Sequence, residues 1–103
     1  MEFTWAVVLR GDEHLEVGQS GWLVRDGYRV APHDAVIRVL RRDDRADLGA
    51  ARFSEIHVGA AAVLCARYDA VLTAQDKDAL AQLGNKTASV LRYEIESLSA
   101  ASR

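Results

Sequence analysis

Cysteine is almost absent from this chain. Cys65 is the single one, so no internal disulfide can form. Proline is as scarce, with Pro32 alone. Lysine occurs only as Lys77 and Lys86; the rest of the thirteen basic residues are arginine. A GC-rich coding sequence accounts for that bias, although arginine also makes the better bidentate contacts to carboxylate and phosphate. No apolar run approaches the roughly 20 residues that cross a bilayer. The start, Met1-Glu2-Phe3-Thr4-Trp5, has no basic segment ahead of an apolar one, so no signal peptide is expected. These absences point to a soluble, cytoplasmic protein with no membrane partner. A net charge of −2 argues against a general polyanion binder but leaves room for a local basic face. There is no internal repeat and no low-complexity segment.

Recognisable chemistry is missing as well. Ser20 in Gly18-Gln19-Ser20-Gly21 lacks the glycine pattern of a nucleophile elbow, because position 22 is Trp. The same glycines lack the Gly-Lys-Ser/Thr of a phosphate loop. Cys65 sits between Leu64 and Ala66, and apolar surroundings keep a thiol inert. His14 is the best metal suspect: on an extended chain Asp12, His14 and Glu16 share a face, yet such a set still needs convergent geometry and a further ligand. His33-Asp34 reads as a helix start rather than a catalytic pair, and His57 as a partly buried core or interface histidine. No catalytic residue, metal site or cofactor is assigned.

What is present fits one domain of 103 residues, half of them hydrophobic. Residues 3–10 alternate, with Phe3, Trp5, Val7 and Leu9 on one side, as a strand does. Gly11-Asp12-Glu13 is expected to turn, and His14 to Val17 to form a second short strand. Trp22-Leu23-Val24-Arg25 and Tyr28-Arg29-Val30-Ala31 flank Asp26-Gly27, the strongest hairpin signal in the chain. The expected sheet, over 3–31, is an antiparallel meander of three to four strands.

Residues 34–45 carry opposed signals. Val36, Ile37 and Val39 favour a strand by propensity. Helical spacing instead gathers Val36, Ile37, Val39 and Leu40 on one arc, and Arg38, Arg41, Arg42 and Arg45 on the other. The spacing predicts a helix. Residues 54–72 contain the most apolar run and read as a second helix, capped by Ser54; a rival reading makes 52–58 a strand and starts the helix at Gly59. Thr73 and Asp76 form an acidic variant of the capping box. Beyond them the stripe Leu80, Ala81, Gly84, Ala88, Leu91, Ile95, Leu98 predicts one long helix over 74–98, with a disordered tail from Ser99.

The expected fold is therefore α+β: the N-terminal meander, a short helix, then a C-terminal antiparallel helical hairpin. So much apolar helix exceeds what three strands can cover. The function this implies is a small non-catalytic interaction or regulatory module that acts through an apolar helical surface. Small inhibitors of phage or mobile-element origin have these properties. The partner is expected to be a protein, a second copy in a homodimer, met at Leu91, Ile95 and Leu98. The alternative is a nucleic-acid-associated protein whose arginine face grips phosphates or an acidic partner. A weaker alternative is a small metal-dependent enzyme around His14. Trp5 and Trp22 read as packing residues; an exposed Trp beside the arginines would instead suggest base stacking.

Overall fold

The computed structural model of the chain describes residues 6–10, 14–28 and 36–99. Its elements run β1 (Ala6–Leu9), β2 (Ser20–Asp26), β3 (Ile37–Arg41), β4 (Asp47–Ala60), α1 (Ala61–Arg67), α2 (Ala74–Leu83) and β5 (Thr87–Leu98). The class is α+β. The sheet has five strands in the order β1-β3-β4-β5-β2, so it is not a meander. β1 and β2, consecutive in sequence, occupy opposite edges. β1 lies parallel to β3, with Val7 opposite Val39, and β3 lies antiparallel to β4, with Ile37 opposite Ala51.

Several expectations are corrected. Residues 14–17 form no strand. Gly27 does take a left-handed backbone, φ 74°. Its N–H bonds to the Thr87 carbonyl at 2.8 Å, and among the described strands the neighbour of β2 is β5; the second arm of the expected hairpin lies beyond Tyr28, outside the described residues. Gly11 to Glu13, and residues 29–35 with Pro32, His33 and Asp34, lie outside the described residues. So do Phe3, Trp5 and the tail beyond Ser99.

The helix expected over 34–45 is instead strand β3 from Ile37 to Arg41. The β-branched Ile37 and Val39 favour the strand, and a parallel neighbour, β1, pairs along it. The helix expected over 54–72 is two elements. β4 runs fourteen residues to Ala60, and the helix starts at Ala61, close to the rival reading. α1 has no side-chain cap; its first N–H groups, of Ala61 and Ala62, bond instead to the carbonyls of Lys86 and Gly84 at 2.9 Å each.

The long helix over 74–98 also divides. Thr73 caps α2 as expected, its hydroxyl accepting from the Asp76 N–H at 3.1 Å. Gly84 then ends it with φ 60°, and β5 follows. In β5, Leu91, Tyr93 and Ile95 are buried while Glu94 and Glu96 are exposed, a period of two that a three-four stripe had hidden.

The chain divides into two compact units. One spans 1–20, 31–53 and 93–103, the other 21–30 and 54–92. β4 and β5 contribute residues to both. The first unit buries Val7, Ile37, Val39, Leu48, Ala51, Phe53 and Ile95. In the second, Ala61, Leu64, Leu72, Leu80, Ala88 and Val90 form one cluster, and Trp22, Val24, Cys65, Tyr68 and Leu83 pack against it. Among the described residues no helix is long and apolar enough to cross a membrane.

Candidate functional site

Three rings meet in the second unit, each delivered by a different element. Trp22 comes from β2, where it shares a face with Val24 and packs on the apolar cluster. His57 comes from β4. Tyr68 is the C-cap of α1, and its backbone is held twice: its N–H bonds to the Leu64 carbonyl, and its own carbonyl accepts from Val71 and Leu72. The His57 and Tyr68 centroids are 4.8 Å apart, Trp22 and Tyr68 5.4 Å, and Trp22 and His57 6.4 Å. These separations are those of attractive ring pairs. All three residues are half-buried, so the cluster is anchored on the core side and still reaches solvent.

A charged group borders the rings. Glu55 and His57 are two apart on β4 and therefore point the same way. The Glu55 carboxylate lies 3.0 Å from His57 Nε2. A carboxylate only accepts, so Nε2 is the nitrogen that carries hydrogen. The other Glu55 oxygen is 3.8 Å from Arg92 Nε, an ion pair rather than a hydrogen bond. Arg92 Nη1 donates to Ser54 Oγ at 2.8 Å, and Ser54 Oγ donates to the Arg92 carbonyl at 3.3 Å. Glu55 keeps 45% of its side-chain surface and His57 30%. The result is a half-buried ring cluster beside a carboxylate that is held by His57 and Arg92 and stays partly open to solvent.

The arginines singled out from the sequence do not form one face. Arg38 and Arg41 are three apart on a strand and so point to opposite sides. Arg38 lies 3.9 Å from Asp47, and Arg41 donates to Asp44 at 3.0 Å. Arg42 and Arg45 are exposed in the turn that follows. The Asp44 carboxylate titrates below its ordinary value, chiefly because the Ala46 N–H bonds to it at 3.0 Å, with Arg41 adding to the effect.

Leu91 and Ile95 are 0% and 2% exposed, and Leu98 is half-buried. Leu91 and Ile95 belong to the interior of this chain and present no surface to a partner. His14 sits on an exposed stretch 2.9 Å from Glu16, and Asp12 is outside the described residues. Among the described residues no group of three or more His, Cys, Asp or Glu side chains could hold a metal ion. Cys65 is half-buried, its Sγ 3.8 Å from the Lys77 carbonyl. An open hollow of about 230 Å³ lies between Val24, Arg25 and Asp26 of β2 and Ala79, Leu80 and Leu83 of α2. It is smaller than the usual range of small-molecule pockets, about 300–1,000 Å³.

Sequence reasoning passed over the ring cluster. Trp22 and His57 each read as packing residues, and Tyr68 fell inside the helix expected over 54–72 with nothing to single it out. The one available sign was Glu55-Ile56-His57: in a strand, that spacing puts an acid beside an imidazole.

No protein-family model matches the chain, and no curated protein matches it in sequence. Among solved structures the fold is similar to that of a mutant of ZmASCH, a protein from Zymomonas mobilis. The TM-score is 0.62 at 16% identity, over 90% of this chain and 68% of that one.

Proposed function

We propose that this is a nucleic-acid-associated protein and that it engages a short single-stranded segment through Trp22, His57 and Tyr68. The observation that carries this reading is the half-exposed ring cluster bordered by Glu55 and Arg92. Aromatic side chains bind unpaired bases because every base offers a flat face, at about 1–3 kcal/mol per stacked base. A duplex hides those faces, so the ligand is single-stranded. Likeness to an ASCH-domain fold, in a nucleic-acid-associated fold family, supports the same direction. The arginine-lined helix first considered for this role does not exist; rings replace it as the principal contact.

A chain of net charge −2 gains little from phosphate contacts. Binding is then dominated by stacking, weak in affinity and shallow in salt dependence. The test is a titration with octamers of single-stranded RNA and DNA, followed by intrinsic fluorescence and by calorimetry. Quenching is expected for the parent and lost in Trp22→Leu. Its log–log salt slope should stay near 1, against about 0.7 per phosphate contact on single strands. If the parent binds no single strand at about 50 mM salt, or binds duplex equally well, the reading is wrong.

A second reading, contact with another protein, rests on Val58, Val63 and Val71, which are exposed in the second unit. Light scattering coupled to size exclusion tests its self-associating form. A monomer at every concentration would remove that form.

A further inference from the structure

We infer that the outer edge of β2 is a docking site for an extended peptide. The peptide adds to the sheet as a further strand, sets one apolar side chain into the hollow beside α2 and presents a carboxylate to Arg25. The site uses the main chain of β2 and not the ring cluster, so it does not depend on the reading above. The first observation is the edge itself. β2 ends the strand order, with β5 on one side, and among the described residues no strand pairs on the other. The strand that follows in sequence, β3, lies beyond β5 and β4. Both ends of the ladder show which way the main chain points. The Gln19 carbonyl accepts from the Ile95 N–H, and the Gly27 N–H donates to the Thr87 carbonyl, each at 2.8 Å. The two pairs are equally spaced on both strands, so the register holds between them without a bulge. Main-chain groups alternate in direction along such a pair. Leu23 and Arg25 therefore bond toward β5, and the N–H and C=O groups of Trp22 and Val24 point outward.

The second observation is the hollow. Val24, Arg25 and Asp26 line it from β2, and Ala79, Leu80 and Leu83 from α2. Side chains of consecutive strand residues point to alternate faces. All three reach one hollow only where it runs along the strand's edge, and β5 occupies the inner edge. The hollow therefore lies on the outer edge, with α2 as its wall. At about 230 Å³ it takes a side chain rather than a whole small molecule. The third observation is Arg25. It is half-buried, and its Nη1 donates to the carbonyl of its own neighbour, Val24, at 2.8 Å. A guanidinium on an outward carbonyl guards the edge against indiscriminate pairing. It also marks the occupant. An incoming N–H takes over the Val24 carbonyl and frees the guanidinium, and a carboxylate is the partner that then binds it best. A row of main-chain donors and acceptors is matched by another row, as in strand addition, where alternate side chains supply the specificity. A second copy fits less well. Antiparallel pairing of β2 with its own copy brings Trp22 and Val24 to that face, and both already pack on their own core.

The experiment begins with amide hydrogen exchange on the free chain. Leu23 and Arg25 should exchange at least about tenfold more slowly than Trp22 and Val24. Slow exchange at all four in a monomer means that the chain covers its own edge, and in a dimer that a second copy does. Either result overturns the inference. A displayed library of random octapeptides is then selected on the parent, and the leading sequence is synthesised for titration. It should hold an apolar and an acidic residue and should slow exchange at Val24 when bound. Arg25→Gln should weaken it at least about tenfold. Ala79→Glu, at an exposed position on the wall of the hollow, should abolish binding with little change in melting temperature. No enriched sequence, an enriched sequence without an acidic residue, or equal binding by Arg25→Gln overturns the inference. So does a bound peptide that leaves Val24 unprotected. The exchange pattern and the selection need no variant, so a misfolded variant does not shelter the inference.

Discussion

Leu91→Ala discriminates between a core residue and a contact surface. Leu91 is fully buried within a single chain, on a strand with β4 on one side and β2 on the other. Its neighbours along β5, Val90 and Tyr93, are buried too. An interior strand cannot shift to fill the space that Ala leaves, because hydrogen bonding on both edges fixes it. The loss is then the transfer of the missing atoms plus the residual cavity, about 3 kcal/mol within the 2–5 kcal/mol range for such changes. A domain of this size moves roughly 4–8 °C in Tm per kcal/mol, so a drop of about 12–24 °C is expected. Thermal melting by far-ultraviolet dichroism reads it directly. The drop should not depend on protein concentration, since no association is being broken. If the variant melts within about 2 °C of the parent, and the parent is a dimer that the variant splits, Leu91 faces a partner and the burial reasoning fails.

Gly49→Ala should be severely destabilising: Gly49 has φ 149°, and a Cβ there would run into the Ser97 carbonyl. A loss above about 3 kcal/mol in urea titration is expected, and an unchanged midpoint would contradict the close approach. Gly27→Val should cost more than about 1 kcal/mol, because a β-branched residue resists φ 74° even with open space around it. A parental melt would mean that the backbone there relaxes freely. Asp44 should titrate below the ordinary 3.8 in a carboxyl NMR titration. Its folded value is depressed, so its contribution to stability is present above the unfolded value and is lost as pH falls through the folded one. Arg41→Gln should raise the Asp44 value only partly, since the Ala46 N–H remains; a titration at or above 3.8 in the parent would refute this.

The parts of the fold legible in the sequence were those set by local chemistry. Thr73 announced the start of α2 through its capping pattern, and Gly27 announced a left-handed backbone. The alternation over 3–10 announced a strand, which is described over Ala6–Leu9. What failed was the choice between periods. Leu91, Ile95 and Leu98 satisfy helical three-four spacing, but Leu91 and Ile95 with Tyr93 satisfy two-residue spacing as well. Gly84 was the deciding residue: a glycine at a helix end permits the turn into β5, and reading it as a tolerated mid-helix residue merged two elements. Pairing across the sheet was not legible at all. Nothing within residues 20–28 says that the partner of β2 is the last strand of the chain.

The site was hidden for a related reason. Its rings come from positions 22, 57 and 68, and only the strand β4 and the short helix α1 bring the last two together. A helix through 54–72 would have set Glu55 and His57 about 200° apart, on different faces. A strand puts them side by side. The strand in place of the helix over 54–60 therefore created the carboxylate–imidazole pair, as the strand β3 in place of the helix over 34–45 removed the arginine face. It also changes what kind of ligand suits this chain. An arginine stripe would hold any polyanion by its phosphates, regardless of sequence. The proposed stacking on rings would hold a base by its face, which needs no excess of positive charge and is compatible with a chain of net charge −2.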